Sequence, residues 1–425
     1  MQSAHRDSPQ GSGTGLSRII FLSQLFDPEP TIKGLRFVQA LAERGVVAEV
    51  VTGFPNYPGG RIYPGHRRTW RRREVMAGVT VTRLATYMSH DTSAIRRILC
   101  YASFHVTAVI HLLFGARRAD LIYVYYPSLT AGLAAVVVRL FRRTPVILDI
   151  QDMWPDSLGA SGMMTNRHLL GFAHFLCGVL YRNCSHILVQ SPGFRALLIE
   201  RGVPADKITV VYNWADEVDA PAASTLPAGF APSDGVRFLF AGNMGAAQGL
   251  AAVLDAARLV QDAGVAVTFV FMGGGTEHPA LQAQAARLGL TNLRFLPRVP
   301  MDQVQAYLTA ADVLIVHLKD QPLFRVTIPS KTQAYLHAGR PILMAAPGNA
   351  ADLVLQAGAG LVARPEDPQD LAAQVMALAA MTAAERAQMG ARGRDFYLAN
   401  LSMRHALDAT AAAVKAHWRA DPNSR

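Results

Sequence analysis

Short apolar runs alternate along this chain with longer stretches in which apolar residues recur every three or four positions. "SRIIFLS", "VAEVVTG", "DLIYVYYPS", "PVILDI", "HILVQS" and "ITVVYNW" have the length and the β-branched or aromatic content of buried strands. Between them, "GLRFVQALAERG", the apolar stretch around residues 98–116, "TAGLAAVVVRLFRR" and "PGFRALLIERG" read as helices. Gly45 closes the first of these. The pattern breaks over residues 216–235, where Pro, Ala, Ser and Asp take over, and then restarts. "VRFLFAG", "VAVTFVFMGGG", "LRFLPRV" and "DVLIVHL" are the next strands, separated by helices over 247–263, "HPALQAQAARLG" and "MDQVQAYLTAA". "IPSKTQAYLHAGRPIL" adds one more helix and strand, opened by Pro329 and ended at Gly339. Two helical segments, about 368–397 and 401–418, close the chain.

Repeated strand–helix alternation predicts an α/β protein with parallel, doubly wound sheets. We divide the chain into a disordered tail (1–17), a first Rossmann-like domain (18–215), a linker (216–235), a second Rossmann-like domain (236–400) and a final helix (401–425). A cleft is expected between the two domains. The length of 425 residues suits two real cores.

Charge changes this picture at one place. Lys and Arg outnumber Asp and Glu by 41 to 31, a net charge of +10. Five arginines, Arg67, Arg68, Arg71, Arg72 and Arg73, surround Trp70, and Arg pairs flank the apolar stretch that follows. A solvated loop beside a buried helix is one reading, and attachment to an anionic membrane surface is the other. A membrane span is disfavoured, because the stretch carries His105 and His111 and sits between strand-like segments. No nucleic-acid motif accompanies the arginines. Cys100, Cys177 and Cys184 lack metal spacing and read as reduced residues of a cytosolic protein.

Candidate chemistry falls at strand ends, where ligands of doubly wound sheets bind. "FLFAGNMGAAQGL" puts Gly242, Asn243, Gly245 and Gln248 between a strand and a helix, where glycine lets backbone N–H groups approach an anion. A tight turn would use the same residues. Gly273, Gly274 and Gly275 in "FMGGGTEHPAL" present the same two readings. Ser330 and Lys331 add a hydroxyl and a cation to a helix start, a plausible diphosphate cradle, with a structural cap as the competing reading. In the first half, "LDIQDMWPDS" places Asp149, Asp152 and Asp156 at a strand exit, and Gly34 stands at the first strand–helix turn. Asp-x-Asp triplets, zinc spacings, nucleophile elbows and complete Walker motifs are missing, so metal-free chemistry is the default.

Six stretches, "VVTGFPNYPGGRIYPG", "GVTVTRL", "DIQDMWPDS", "VYNWAD", "AGNMGAAQGL" and "IPSKTQAYLHAGRPIL", together resemble the retaining nucleotide-sugar glycosyltransferases of family four. They run in family order from about residue 18 to 415. The branch they are most similar to builds bacterial surface polysaccharides on lipid carriers. The resemblance implies the two-domain GT-B fold, with an acceptor-binding first domain and a second domain that binds a nucleotide sugar, UDP-linked and perhaps N-acetylated. It implies an undecaprenyl-diphosphate-linked saccharide acceptor, transfer with retention, no cofactor and no metal. It places the protein at the cytoplasmic face of the membrane. Gly242, Asn243, Gly245, Gln248, Ser330 and Lys331 would face the donor diphosphate, with Arg298 and Val299 towards the base. Gly34 would lie beneath the sugar or phosphate. Arg325 and Thr327 complete the donor-site candidates. Asp152 and Lys331 would be the catalytic pair, Asp152 orienting sugar or acceptor.

The chain also departs from the family pattern. Many members carry an Arg and a Lys where Asn243 and Gln248 stand. A ribose-gripping Glu is replaced by Ala334, beside Gln333, and a second Glu falls near Val326. Arg325, Lys331 and Arg298 are the cations expected to compensate. Two further readings therefore stay beside the transferase: a catalytically weak or silent membrane-associated partner subunit, and a nucleotide-sugar epimerase of the same fold.

Overall fold

The computed structural model describes residues 18–57, 59–88, 94–126, 129–157, 166–217, 230 and 235–418. The tail and most of the linker expected from the sequence lie outside them. Two sheets organise the described residues. One is eight-stranded, in the order β3-β4-β2-β1-β5-β6-β7-β8, and the other is six-stranded, in the order β11-β10-β9-β12-β13-β14. In the first, β1 (Ile19–Leu22), β2 (Ala48–Gly53), β5 (Leu121–Tyr126), β6 (Val146–Ile150), β7 (His186–Val189) and β8 (Ile208–Val210) alternate with helices. The second holds β9 (Val236–Asn243), β10 (Val267–Gly274), β11 (Leu293–Leu296), β12 (Val313–His317), β13 (Ile342–Ala345) and β14 (Gly360–Val362). Pairing within the second sheet is parallel throughout. Parallel strands covered on both faces need continuous apolar runs, and β1, β5 and β13 are buried at every position.

Compact units divide the chain as Met1–Asp152, Gly171–Ile187 and Thr410–Arg425 on one side, and Met153–Leu170 and Leu188–Ala409 on the other. The second unit has apolar clusters on both faces of its sheet. One gathers Leu239, Leu314, Ile328, Tyr335 and Tyr397, and the other Phe238, Phe240, Leu254, Phe271 and Leu371.

Three local readings change. The basic segment is not all loop: Arg71–Met76 forms β3, an edge strand antiparallel to β4 (Val79–Leu84). The hairpin turns at Ala77 and Gly78, both with positive φ. The apolar helix, Ala94–Ile110, continues into a wider π-helical turn, His111–Gly115. At the end of the chain, three helices replace the expected two: Pro368–Ala380, Ala383–Asn400 and Met403–His417. Thr382 makes the break. Its hydroxyl accepts the Glu385 N–H at 3.2 Å while the Glu385 carboxylate accepts the Thr382 N–H at 2.7 Å, a reciprocal cap that starts a new helix. No helix among the described residues is long and apolar enough to cross a membrane.

Candidate functional site

At the carboxyl end of β9 the backbone opens at Gly242, whose φ is +137°. Its partner across the ladder is Gly273 at the end of β10. A Cβ on Gly273 would stand 2.0 Å from the Gly242 carbonyl oxygen, and one on Gly275 2.4 Å from the Met244 carbonyl oxygen. Neither position admits a side chain. The second glycine run is therefore needed for close packing of two strand ends. The Met244 N–H donates to the Gly274 carbonyl at 2.8 Å, and the Glu277 N–H to the Met244 carbonyl at 2.9 Å.

After β9 the chain turns tightly. The Gln248 side-chain oxygen accepts the Gly245 N–H at 3.1 Å. The Gln248 carbonyl is held from below by His317, at 2.6 Å from Nδ1, while the Glu366 N–H donates to Nε2 at 3.2 Å. A nitrogen that accepts leaves the proton on the other, so Nδ1–H donates to Gln248. His317 is 1% exposed, and burial lowers its pKa, which keeps the ring neutral.

The third part is the helix Ser330–Ala338. No side chain caps its start, and Gly339 closes it in the left-handed conformation, as the sequence suggested. Tyr335 fastens this helix to β9: the Ala241 N–H donates to the phenolic oxygen at 3.0 Å, and the Tyr335 hydroxyl donates to the Ala241 carbonyl at 3.2 Å. Lys331 reaches back over β9. Its ammonium lies 3.6 Å from the centre of the Phe240 ring. Its Cε occupies the space beside Gly242, 2.8 Å from where a Cβ would fall. No carboxylate pairs with it among the described residues. Desolvation with only a ring face in compensation lowers its pKa from 10.5 to about 7.

These elements enclose a cavity of about 670 Å³. It gathers Gly242, Asn243, Gln248, Arg298, Val299, Ser330 and Lys331 from the sequence-derived candidates, with Ala334 where the family pattern has a carboxylate. Among the described residues two cations, Arg298 and Lys331, line it, and no Asp or Glu does. Gly245 only opens the neighbouring turn. Two candidates are otherwise engaged. The Arg325 guanidinium pairs with Asp320 at 2.8 Å, so it is not the spare cation expected, and the Thr327 hydroxyl donates to the Leu323 carbonyl at 2.7 Å. Phe240, His317 and Tyr335 were not singled out in sequence. Their strand and helix periodicity reads only as core, and a long-range hydrogen bond leaves no linear signal.

Of the remaining candidates, Gly34, Asp149 and Asp152 belong to the other unit, and Asp156 belongs to the same unit as the cavity. The Asp27 carboxylate accepts the Leu35 N–H at 2.6 Å, and a Cβ on Gly34 would fall 2.1 Å from that oxygen. The helix start at Gly34 is thus already supplied with an internal anion, the Asp27 carboxylate. Asp149 is 2% exposed and accepts from Lys33, Tyr123 and Gln151. Asp156 pairs with Arg201 through both oxygens at 2.7 Å, a structural role. Asp152 keeps contact with solvent and has no hydrogen-bond partner among the described residues, yet the surrounding protein desolvates it enough to raise its pKa. No group of three or more His, Cys, Asp or Glu with metal-binding proximity occurs among the described residues.

Comparison with known proteins places these units. Residues 35–214 match the model described as "Glycosyl transferase 4-like domain", and residues 235–381 match "Glycosyl transferases group 1". WcaI of Escherichia coli, described as a colanic acid biosynthesis glycosyl transferase, is 26% identical over 71% of this chain and 76% of its own length. WbjE of Pseudomonas aeruginosa, described as a glycosyltransferase, is 27% identical over 53% of this chain and 58% of its own. Among solved structures, sucrose-phosphate synthase of Thermosynechococcus elongatus superposes with a TM-score of 0.70 at 16% identity, covering 94% of this chain and 98% of that one. HepE of Anabaena, solved with UDP, gives 0.62 at 16%, covering 94% and 100%. At such identity the structures speak for the fold.

Proposed function

This chain belongs to the family-four glycosyltransferases, and from that premise we propose that it moves a sugar from a UDP-linked donor to a lipid-linked saccharide in bacterial polysaccharide biosynthesis. The supporting observation is the cavity in the second unit, with two cations, an uncapped helix start and no carboxylate. That is the chemistry of an anion site, and a nucleoside diphosphate is the anion whose leaving must be assisted. Ser330 and the first N–H groups of its helix would hold the phosphates, Lys331 would charge against the leaving group, and Arg298 and Val299 would face the base. Retention would follow from attack on the face the diphosphate leaves, the departing phosphate assisting deprotonation. No metal is required, because backbone dipoles and cations take its part. Asp152, desolvated and unpartnered, would orient sugar or acceptor. The names of the relatives support the polysaccharide context. The arginines about Trp70 suit the anionic inner face of the cytoplasmic membrane, where the lipid-linked acceptor would lie.

An epimerase needs an acid and a base beside the sugar, and the cavity lining supplies neither carboxylate. A silent subunit would show no donor-dependent response. A panel of nucleotide sugars tested for thermal stabilisation, followed by product analysis with and without acceptor, separates the three. Stabilisation by none of the donors would overturn the transferase reading.

Lys331 gives a pH signature. Its folded pKa is about 7, so above pH 7 it is mostly neutral. Binding a diphosphate favours the ammonium. Nucleoside-diphosphate binding above pH 7 is therefore expected to take up a proton, with affinity falling by up to about tenfold per pH unit as pH rises. Titration calorimetry at pH 8 in buffers of different ionisation enthalpy reads the uptake directly. Identical heats in all buffers would mean that Lys331 does not change charge.

A further inference from the structure

The eight-stranded sheet carries a second basic cavity, at the edge opposite to that where doubly wound sheets bind nucleotides. Arg18 precedes β1 and Glu49 lies near the start of β2, so this is the amino edge of the parallel strands. The cavity holds about 520 Å³, and Arg18, Arg71, Arg73 and Arg117 converge on it against a single carboxylate, Glu49. Arg18 consumes that carboxylate at 2.6 Å, and the Thr82 hydroxyl donates to its other oxygen at 3.2 Å. Glu74, on the same hairpin, is taken by Arg83 at 2.6 Å and Arg72 at 3.4 Å. Asp120 accepts the Arg18 backbone N–H at 2.6 Å. Among the described residues, Arg71 has only the Gly115 carbonyl, at 3.3 Å. Among the described residues, three guanidiniums are left facing one space with no counter-charge of their own, which is unfavourable unless an anion enters.

A second observation points the same way. His111 lines the cavity and is more than nine-tenths buried, and its Nε2 has no hydrogen-bond partner among the described residues. The Nη1 atom of Arg18 is likewise buried without one. Buried polar groups are normally satisfied, and groups left open around a basic cavity are where a ligand would bond. Burial, and then the charge of Arg71, lower the pKa of His111, so it acts as a neutral imidazole.

The surroundings identify the ligand as amphipathic. An adjoining groove of about 200 Å³ shares Arg71, His111 and Gly115 with the basic cavity but is walled by Trp70, Leu84, Ile110 and Phe114. Trp70 is 63% exposed and Phe114 81%, on a surface that otherwise bristles with arginine. We propose that this cavity binds the phosphate of an anionic membrane lipid, with the adjoining groove receiving the first carbons of its hydrocarbon part. The site would moor the protein by a defined headgroup rather than by diffuse charge. It stands independently of the transferase reading, since none of its residues belongs to the donor cavity.

The test is co-sedimentation of the full-length protein with phosphatidylcholine vesicles, with and without phosphatidylglycerol. Binding is expected only with phosphatidylglycerol. The double variant Arg73→Glu/Arg117→Glu should weaken it by about tenfold or more, and His111→Phe, which keeps the ring volume, should weaken it without lowering thermal stability. Arg67→Glu/Arg68→Glu makes the same charge change on exposed residues outside the cavity and should cost much less. Equal losses in the two double variants would replace the pocket by a diffuse basic patch and overturn the proposal. So would vesicle binding indifferent to phosphatidylglycerol, or glycerol 3-phosphate competing as strongly as the lipid, since a soluble ester would then be the ligand.

Discussion

Replacing Lys331 by alanine is expected to lower sugar transfer by about one to two orders of magnitude while leaving the protein as stable as before, or more so. Charge-assisted contacts are worth roughly 1.5–3 kcal/mol, and this one strengthens as charge builds on the leaving phosphate. Arg298 is the other cation lining the cavity, and Arg325 is tied to Asp320, so little can substitute for the loss. Stability moves the other way because the folded pKa, about 7, lies below the unfolded one. Below pH 7 the ammonium is carried in both states and its desolvation in the fold is a full penalty. The penalty fades as pH rises from about 7 towards 10.5, where the unfolded chain also loses the proton. The variant's stability gain should therefore be largest below pH 7. Lys331→Arg should recover only part of the rate, because the guanidinium fork is wider than an ammonium and the space beside Gly242 is already filled by the Lys331 stem. Transfer rates and thermal midpoints at pH 6 and pH 9 check both halves. Unchanged transfer would move the donor site elsewhere, and an acid-labile variant would refute the burial argument.

The largest stability effect is expected at the other end of the chain, from Lys33→Met. Lys33 is fully buried and its ammonium bonds the buried Asp149 carboxylate. Removing one partner strands the other, a loss of roughly 3–5 kcal/mol for buried pairs. Tyr123 and Gln151 also donate to Asp149, which favours the lower end. The double variant Lys33→Met/Asp149→Asn should regain a large part of the loss, because no charge is then left without a partner. Denaturant midpoints of parent, single and double variants measure this. Additive losses would show that the two residues act separately.

Parallel α/β architecture was legible because strands buried on both faces must be written as apolar runs, and "LIYVYY" and "VILDI" are. The helix from Ser330 to Gly339 was legible for a local reason, proline at one end and a left-handed glycine at the other. Polar residues were harder to read. In "FDPEP", Asp27 supplies the anion at a helix start, and Glu29 accepts the Phe26, Asn56 and Tyr57 N–H groups at 3.3, 2.7 and 2.7 Å. Both carboxylates organise loops across long stretches of chain, and their sequence context does not distinguish that work from catalysis. Arg83 is hidden for the same reason. It is completely buried in β4, where it bonds Glu74 and the Asp27 and Gly53 carbonyls. In the cavity of the second unit the sequence showed which residues stand at strand ends. It did not show that Lys331 lies over Phe240, because ring and ammonium are separated by ninety residues and meet only through the register of β9 against the helix.

Gly242 and Gly273, paired at the ends of two strands, constrain which substitutions this protein can accept. A methyl group at 273 collides with the carbonyl of 242, one at 242 meets the Lys331 side chain, and both positions hold a positive φ that suits glycine alone. Side chains that choose among sugars can be exchanged one at a time, but these two positions cannot. Substitutions that reshape the cavity are therefore expected to be tolerated at neighbours such as Ala334, Met301 and Val304 rather than at the glycines themselves.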